Sequence, residues 1–302
     1  MVSERAGVLP EVAVGLIVAD GGELLLQHRD DRADVAGAGL WGFFGGHVEP
    51  GERPSGAFLR EMREELGWTP SHFEHYLTAE VEGADGRTRL RSHAFAAHLD
   101  VPVEALVLGE GQAMRLVAPD ALPDATVVSA RPVIAEFAAS DAYRRVRRAW
   151  DLISVTALLV DADGRFLLQL RDDRPDIVNP GLWGSFGGRV EPHETPQVET
   201  PDEALVRELR EELAWTPPLF RLHSAGPYRS IAAADPRLQL IYVYAAPVDV
   251  PLDAMTLGEG QEMSSFAPGA LPERIVPALR TLIERFTTDA LYGEMIAAAG
   301  GG

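Results

Sequence analysis

Cysteine is absent from this 302-residue chain. That excludes disulfides, thiolate metal sites and cysteine nucleophiles. Lysine is absent too, and all 27 basic residues are arginines. Neither a P-loop lysine nor a Schiff-base lysine is therefore available. No apolar run approaches the roughly 18 residues that cross a bilayer, so no membrane partner is expected. The first residues lack the basic-then-apolar pattern of a secretory signal, and the expected compartment is cytoplasmic. Positive charge is scarce against 46 Asp and Glu, and the net charge is −19 at pH 7. Such acidity disfavours nucleic acid as a partner. The one basic cluster, Arg144, Arg145, Arg147 and Arg148, reads as the exposed face of a helix. The remaining composition, 46% hydrophobic and 24% charged, is that of a soluble globular protein.

The chain repeats itself. Gly39-Leu40-Trp41-Gly42 returns as Gly181-Leu182-Trp183-Gly184, an offset of 142, and Phe44-Gly45-Gly46 returns as Phe186-Gly187-Gly188. Leu108-Gly109-Glu110-Gly111-Gln112 returns as Leu257-Gly258-Glu259-Gly260-Gln261, now offset by 149. A repeat of this size is a whole domain, and the chain length suits about two. Each copy opens with an apolar run, a Gly-containing turn and a second apolar run: residues 12–19 and 24–27, then 153–160 and 166–170. That pattern predicts a strand, a hairpin turn and a strand. Residues 91–99 and 238–248 read as later strands. Residues 133–137 onward and 275–286 read as closing helices.

The densest pattern lies at 46–68. It reads Gly46, five residues, Glu52, seven residues, then Arg60-Glu61-Met62-Arg63-Glu64-Glu65-Leu66-Gly67-Trp68. Steps of three and four put Glu61, Glu64 and Glu65 on one face of a helix, with Phe58, Met62 and Leu66 on the other. Like charges at these spacings repel. A divalent cation offsets the repulsion, and an oxygen-rich set suits Mg²⁺ or Mn²⁺. The second copy has Gly188, Glu194, and Arg207 to Trp215 with Glu208, Glu211 and Glu212 in register. It differs twice. Twelve residues rather than seven separate Glu194 from Arg207, and Ala214 stands where the first copy has Gly67. Alanine adopts a left-handed helix end only at a cost.

The run at 46–68 resembles the Nudix box at every fixed position, and the resemblance extends over nearly the whole chain. It implies an α/β fold of two tandem Nudix-type α/β/α sandwiches with mixed sheets. The first domain is expected at 1–140 and the second at 141–302, with a linker helix at about 138–151. The resemblance also implies a Mg²⁺-dependent pyrophosphohydrolase. Its partner is then a nucleotide-like diphosphate, which water attacks at phosphorus. On that resemblance Glu64 and Glu65 are metal ligands, and Glu61 is a ligand or polarises water. The Gly45 carbonyl joins them, and Arg60 orients a carboxylate, with Glu52 as its partner. The equivalents are Glu211, Glu212, Glu208, Gly187, Arg207 and Glu194. The Glu110 and Glu259 loops resemble the MutT-type loop that supplies a general base or extra ligand. Arg29 and Arg171 align with a substrate-contacting arginine of that subfamily. Isopentenyl diphosphate isomerases of the same fold depend on cysteine, which this chain lacks.

Two further readings stand beside this one: a non-catalytic nucleotide sensor or scaffold, and a chain with only one catalytic domain. A short connection without Gly/Ser composition also leads to the expectation of an intrachain pseudo-dimer.

Overall fold

The run at 12–18 forms the middle of a sheet because both of its faces are apolar. A computed structural model describes residues 9–150, 152–191, 199–229 and 238–301. In it, β1 (Glu11–Val18) turns back into β2 (Leu24–His28), then come β3 (Trp41–Gly42), β4 (Phe44–His47) and helix α1 (Pro54–Leu66). The unit continues with β5 (Phe73–Glu82), β6 (Arg89–His98), β7 (Ala113–Val117), α2 (Ala130–Ala139) and α3 (Asp141–Val146). The sheet runs β3-β2-β1-β6-β5, with β4 on β1 and β7 on β2. It is mixed: β1 and β6 are parallel, and the other pairs are antiparallel.

Alternation along β1 sends Ala13 and Ile17 to one face, where Phe58, Met62 and Leu66 of α1 cover them. Leu16 and Val18 go to the other face, under Ile134 and Phe137 of α2 and Tyr143 and Val146 of α3. Helices on both faces of a mixed sheet make an α/β/α sandwich.

The second unit repeats this plan: β8 (Leu152–Val160), β9 (Phe166–Leu170), β10 (Trp183–Gly184), α4 (Pro201–Leu213), β11 (Arg221–Arg229), β12 (Leu238–Pro247), β13 (Glu262–Phe266), α5 (Pro277–Phe286) and α6 (Ala290–Ala299). Its sheet runs β10-β9-β8-β12-β11, with β13 on β9, and β8 and β12 are again parallel. Leu205, Leu209 and Leu213 of α4 pack on one face, and Leu279, Ile283 and Phe286 of α5 on the other.

The sequence boundary is drawn at 140–141. Just beyond it, α3 packs on the first unit: the Tyr143 hydroxyl donates to the Gly22 carbonyl at 2.5 Å, and Arg145 forms a two-pronged contact with the buried Glu74. Helix α6 does the same in its own unit, where the Tyr292 hydroxyl donates to the Gly164 carbonyl at 2.6 Å. Apart from residues 192–200, the chain divides into one compact unit ending at Ala149 and another beginning at Trp150. The turn at Asp161 to Gly164 is a hairpin whose Asp161 carboxylate accepts from the backbone of Asp163 and Arg165.

Candidate active site

Two glycine contacts bring the site together. Gly45 has φ +130°, and a side chain there would meet the Ala13 carbonyl at 2.1 Å; Gly187 matches it with φ +128° and the Val155 carbonyl at 2.4 Å. The turn therefore lies flat against the central strand, and its amide points at the helix. Gly109 lies against the backbone of α1, where a side chain would meet the Glu64 carbonyl at 2.2 Å. Its N–H donates to the Glu65 carbonyl at 2.7 Å, and Gly258 donates to Glu212 at 2.8 Å. This second contact holds the Glu110 and Glu259 loops beside the helix carboxylates.

Glu65 is the deepest of these carboxylates, at 5% exposure. One oxygen accepts from the Gly45 amide at 2.6 Å and the other from the Gln27 side chain at 3.1 Å. Gln27 also donates to the Glu110 carbonyl at 3.2 Å. Glu212 repeats the pattern with the Gly187 amide at 2.7 Å and Gln169 at 3.0 Å. Burial raises Glu65 and Glu212 to about 7 despite these donors, and the charges of Glu61 and Glu110, or of Glu208 and Glu259, push the same way. Glu61 is also raised, chiefly by burial, against the pull of Arg60.

Arg60 binds Glu52 through two nitrogens at 3.1 Å and Glu61 at 2.6 Å, and donates to the His47 carbonyl at 2.8 Å. Its reach to Glu64 is longer, 3.5 Å, and the Glu64 side chain is 61% exposed. Arg207 holds Glu208 at 2.8 Å, Glu211 at 3.1 Å and the Arg189 carbonyl at 2.8 Å. Glu194 lies outside the described residues. Arg29 and Arg171 sit where β2 and β9 end and line a cavity beside each box. Arg29 Nε is buried without a hydrogen-bond partner. Arg171 donates to the Val178 carbonyl at 2.9 Å.

Each unit thus brings its box glutamates, Gly45 or Gly187, and Glu110 or Glu259 to one place. Among the described residues no three acidic or histidine side chains are already gathered as a metal cage. The donor set still fits a hard cation: several carboxylates and a carbonyl, with mutual repulsion that one arginine only partly offsets. Gln27 and Gln169 escaped the sequence reading. The available signal was their recurrence at an offset of 142, two residues before Arg29 and Arg171.

A family model described as the NUDIX domain matches residues 9–137 and 151–286. Over 75 residues the chain is 39% identical to the 8-oxo-dGTP diphosphatase of Escherichia coli K12, covering 25% of this chain and 57% of that protein. Over 57 residues it is 49% identical to the CTP pyrophosphohydrolase of the same strain, covering 19% of this chain and 40% of that protein. The matches therefore span about half the length of these curated relatives. Among solved structures, the MutT NUDIX hydrolase from Burkholderia pseudomallei is 24% identical, with a TM-score of 0.37, over 44% of this chain and 95% of its own.

Proposed function

The chain belongs to the NUDIX family through both of its units, and from that premise we propose that it is a divalent-cation-dependent pyrophosphohydrolase of nucleotide-like diphosphates. The observation that carries this reading is the duplicated carboxylate frame. Glu65 and Glu212 are each held by a turn amide and a buried glutamine, with a second carboxylate loop clamped alongside. Conserving a repulsive cluster in this detail has no benefit for stability, and a bound cation gives it one.

When bound, Mg²⁺ or Mn²⁺ neutralises diphosphate oxygens and lowers the pKa of water. Glu64 and Glu65, with the Gly45 carbonyl, are the residues that would hold it in the first unit. Glu211, Glu212 and Gly187 are those in the second. Gln27 and Gln169 fix the direction of the deepest carboxylate. Arg60 and Arg207 brace Glu61 and Glu208 against the box turn. Glu110 and Glu259, from the opposite loop, would accept a proton from an attacking water. Arg29 and Arg171 face the adjoining cavities, where an anionic substrate would extend.

The two centres are proposed to work at unequal rates. Five more residues separate Glu194 from Arg207 than Glu52 from Arg60, and Ala214 ends α4 in a strained conformation with φ 51°. Small displacements beside reacting groups have large kinetic effects. A substrate panel with Mg²⁺ tests both points, scored for phosphate, pyrophosphate and nucleoside monophosphate. Glu64→Gln and Glu211→Gln, made separately, are each expected to remove one centre's turnover by about 10²-fold, the scale for losing a principal electrostatic group. Activity that survives the double substitution and EDTA would overturn the reading, and equal losses would overturn the inequality.

A further inference from the structure

We propose that the two centres take different substrates, the second being built for a diphosphate carrying a larger, hydroxyl-rich group of the glycosyl class. This rests on the hydrolase reading above and goes beyond it. Each box glycine borders a cavity within its own unit. The first cavity holds about 210 Å³ and the second about 620 Å³.

Strand register matches the two walls position by position. Val12 stands beside Ser92 and opposite His47, and Ser154 stands beside Ile241 and opposite Arg189. Two steps on, Val14 beside Ala94 corresponds to Thr156 beside Val243. Leu90 and Gln239 each lie two residues before those partners, and Phe43 and Ser185 each precede the box phenylalanine. So Val12, Val14, Phe43 and Leu90 in the first cavity become Ser154, Thr156, Ser185 and Gln239 in the second.

Four apolar positions have become four uncharged hydrogen-bonding ones, while two change the other way, Ser92 to Ile241 and Ser129 to Ala278. Gln239 donates to Ser154 at 2.6 Å, and the Thr156 and Ser185 hydroxyls lie 2.5 Å apart. A hydroxyl has one donor and two acceptor positions, and a primary amide has four in all. These bonds therefore leave capacity facing the cavity. Covering it with an apolar ligand face would strand polar groups. A sugar ring, with several neutral hydroxyls, satisfies them and needs the larger volume. The first cavity, walled mainly by Phe43, Leu77, Leu90 and valines with Ser92 and Ser129 as its hydroxyls, suits a flat ring with an apolar face.

The test uses the full chain with one centre disabled at a time and two probes, ADP-glucose and CTP, in Mg²⁺. The ratio of kcat/KM for ADP-glucose over CTP is expected to be at least about tenfold higher in Glu64→Gln, which reports the second centre, than in Glu211→Gln. Adding Thr156→Val to Glu64→Gln installs the first unit's residue at nearly constant shape. It is expected to lower ADP-glucose turnover about tenfold and leave CTP turnover close to its starting value. Ser185→Phe should do the same by filling the cavity. Equal ratios at the two centres, or equal effects of these substitutions on both probes, would overturn the proposal.

Failure of the hydrolase reading looks different, because then the unsubstituted chain turns over neither probe. In that case calorimetric binding reads the preference directly. Tighter binding of ADP-glucose that Thr156→Val removes supports the proposal, and equal binding of both nucleotides overturns it.

Discussion

Glu65 accepts a hydrogen bond on each oxygen, yet burial still lifts it from 4.5 to about 7, and Glu212 behaves identically. A raised carboxylate pKa favours the protonated folded state. The associated stability is therefore full below about pH 4.5 and lost as pH rises through about 7. A cation must displace that proton, so its binding strengthens over the same window. The expected result is a melting temperature in EDTA that falls between about pH 5 and pH 8, with Mg²⁺ restoring more at the upper end. Scanning fluorimetry with and without Mg²⁺ checks this, and a pH-independent Mg²⁺ effect would contradict it. Gln27 is the residue that steers Glu65. Gln27→Leu keeps its bulk and removes the donor, and Mg²⁺ affinity read by calorimetry is expected to fall about tenfold, the scale of outer-sphere partners. The carboxylates were legible in the sequence because their spacing has one geometric meaning. Gln27 was not, because a lone glutamine in an apolar strand shows its partner only after the sheet and helix meet.

At the scale of elements, α1 and α4 differ most where they end. Gly67 takes φ 60° without penalty, and Ala214 is forced to φ 51° by the same cap. Ala214→Gly is expected to stabilise the second unit by about 1 kcal/mol, and Gly67→Ala to cost the first a similar amount. Urea unfolding of the two variants tests the pair, and a loss in Ala214→Gly would show that the cap is not the source of strain. The first two strands of each unit and the box helices were readable from apolar periodicity. β5, β7, β11 and β13 were not. β13, with Glu262, Ser264 and Ser265 among its five residues, has little apolar character of its own. It becomes a strand because β9 offers it a full antiparallel ladder. Helix α6 was hidden for a similar reason, since its stability comes from what it covers; α3 lies within the helix expected at about 138–151, but its packing on the first unit was not legible.

At the scale of the whole molecule, the two halves keep step over long stretches. Trp68 donates to Asp100 at 2.7 Å, and Trp215 to Asp249 at 3.2 Å. Ser140 and Asp289 cap α3 and α6, and Tyr143 and Tyr292 each bond the first hairpin turn of their own unit. The offset is 142 through the box turns and 149 from the Glu110 loop onward, so every change in length falls between them. The repeat was legible from end to end, but the role of its last helix was not. A fragment of residues 9–149 is expected to melt cooperatively. One ending at Ala139 loses buried Tyr143 and Val146 and is expected to be less stable by about 3 kcal/mol or more. Circular dichroism melts of the two fragments decide this, and equal melting temperatures would show that α3 adds nothing.

The tyrosine clasp also bears on ancestry. Tyr143 closes onto Gly22 and Tyr292 closes onto Gly164, each within its own copy. The segment that was duplicated therefore carried its own closure, and the join between copies lies after Val146 and before Leu152. What was inherited twice was already a finished single-unit protein. Its descendants were then free to diverge in the cavity wall and in the loop and cap that flank the box helix, while the clasp, the helical glutamates and the buried glutamine stayed as they were.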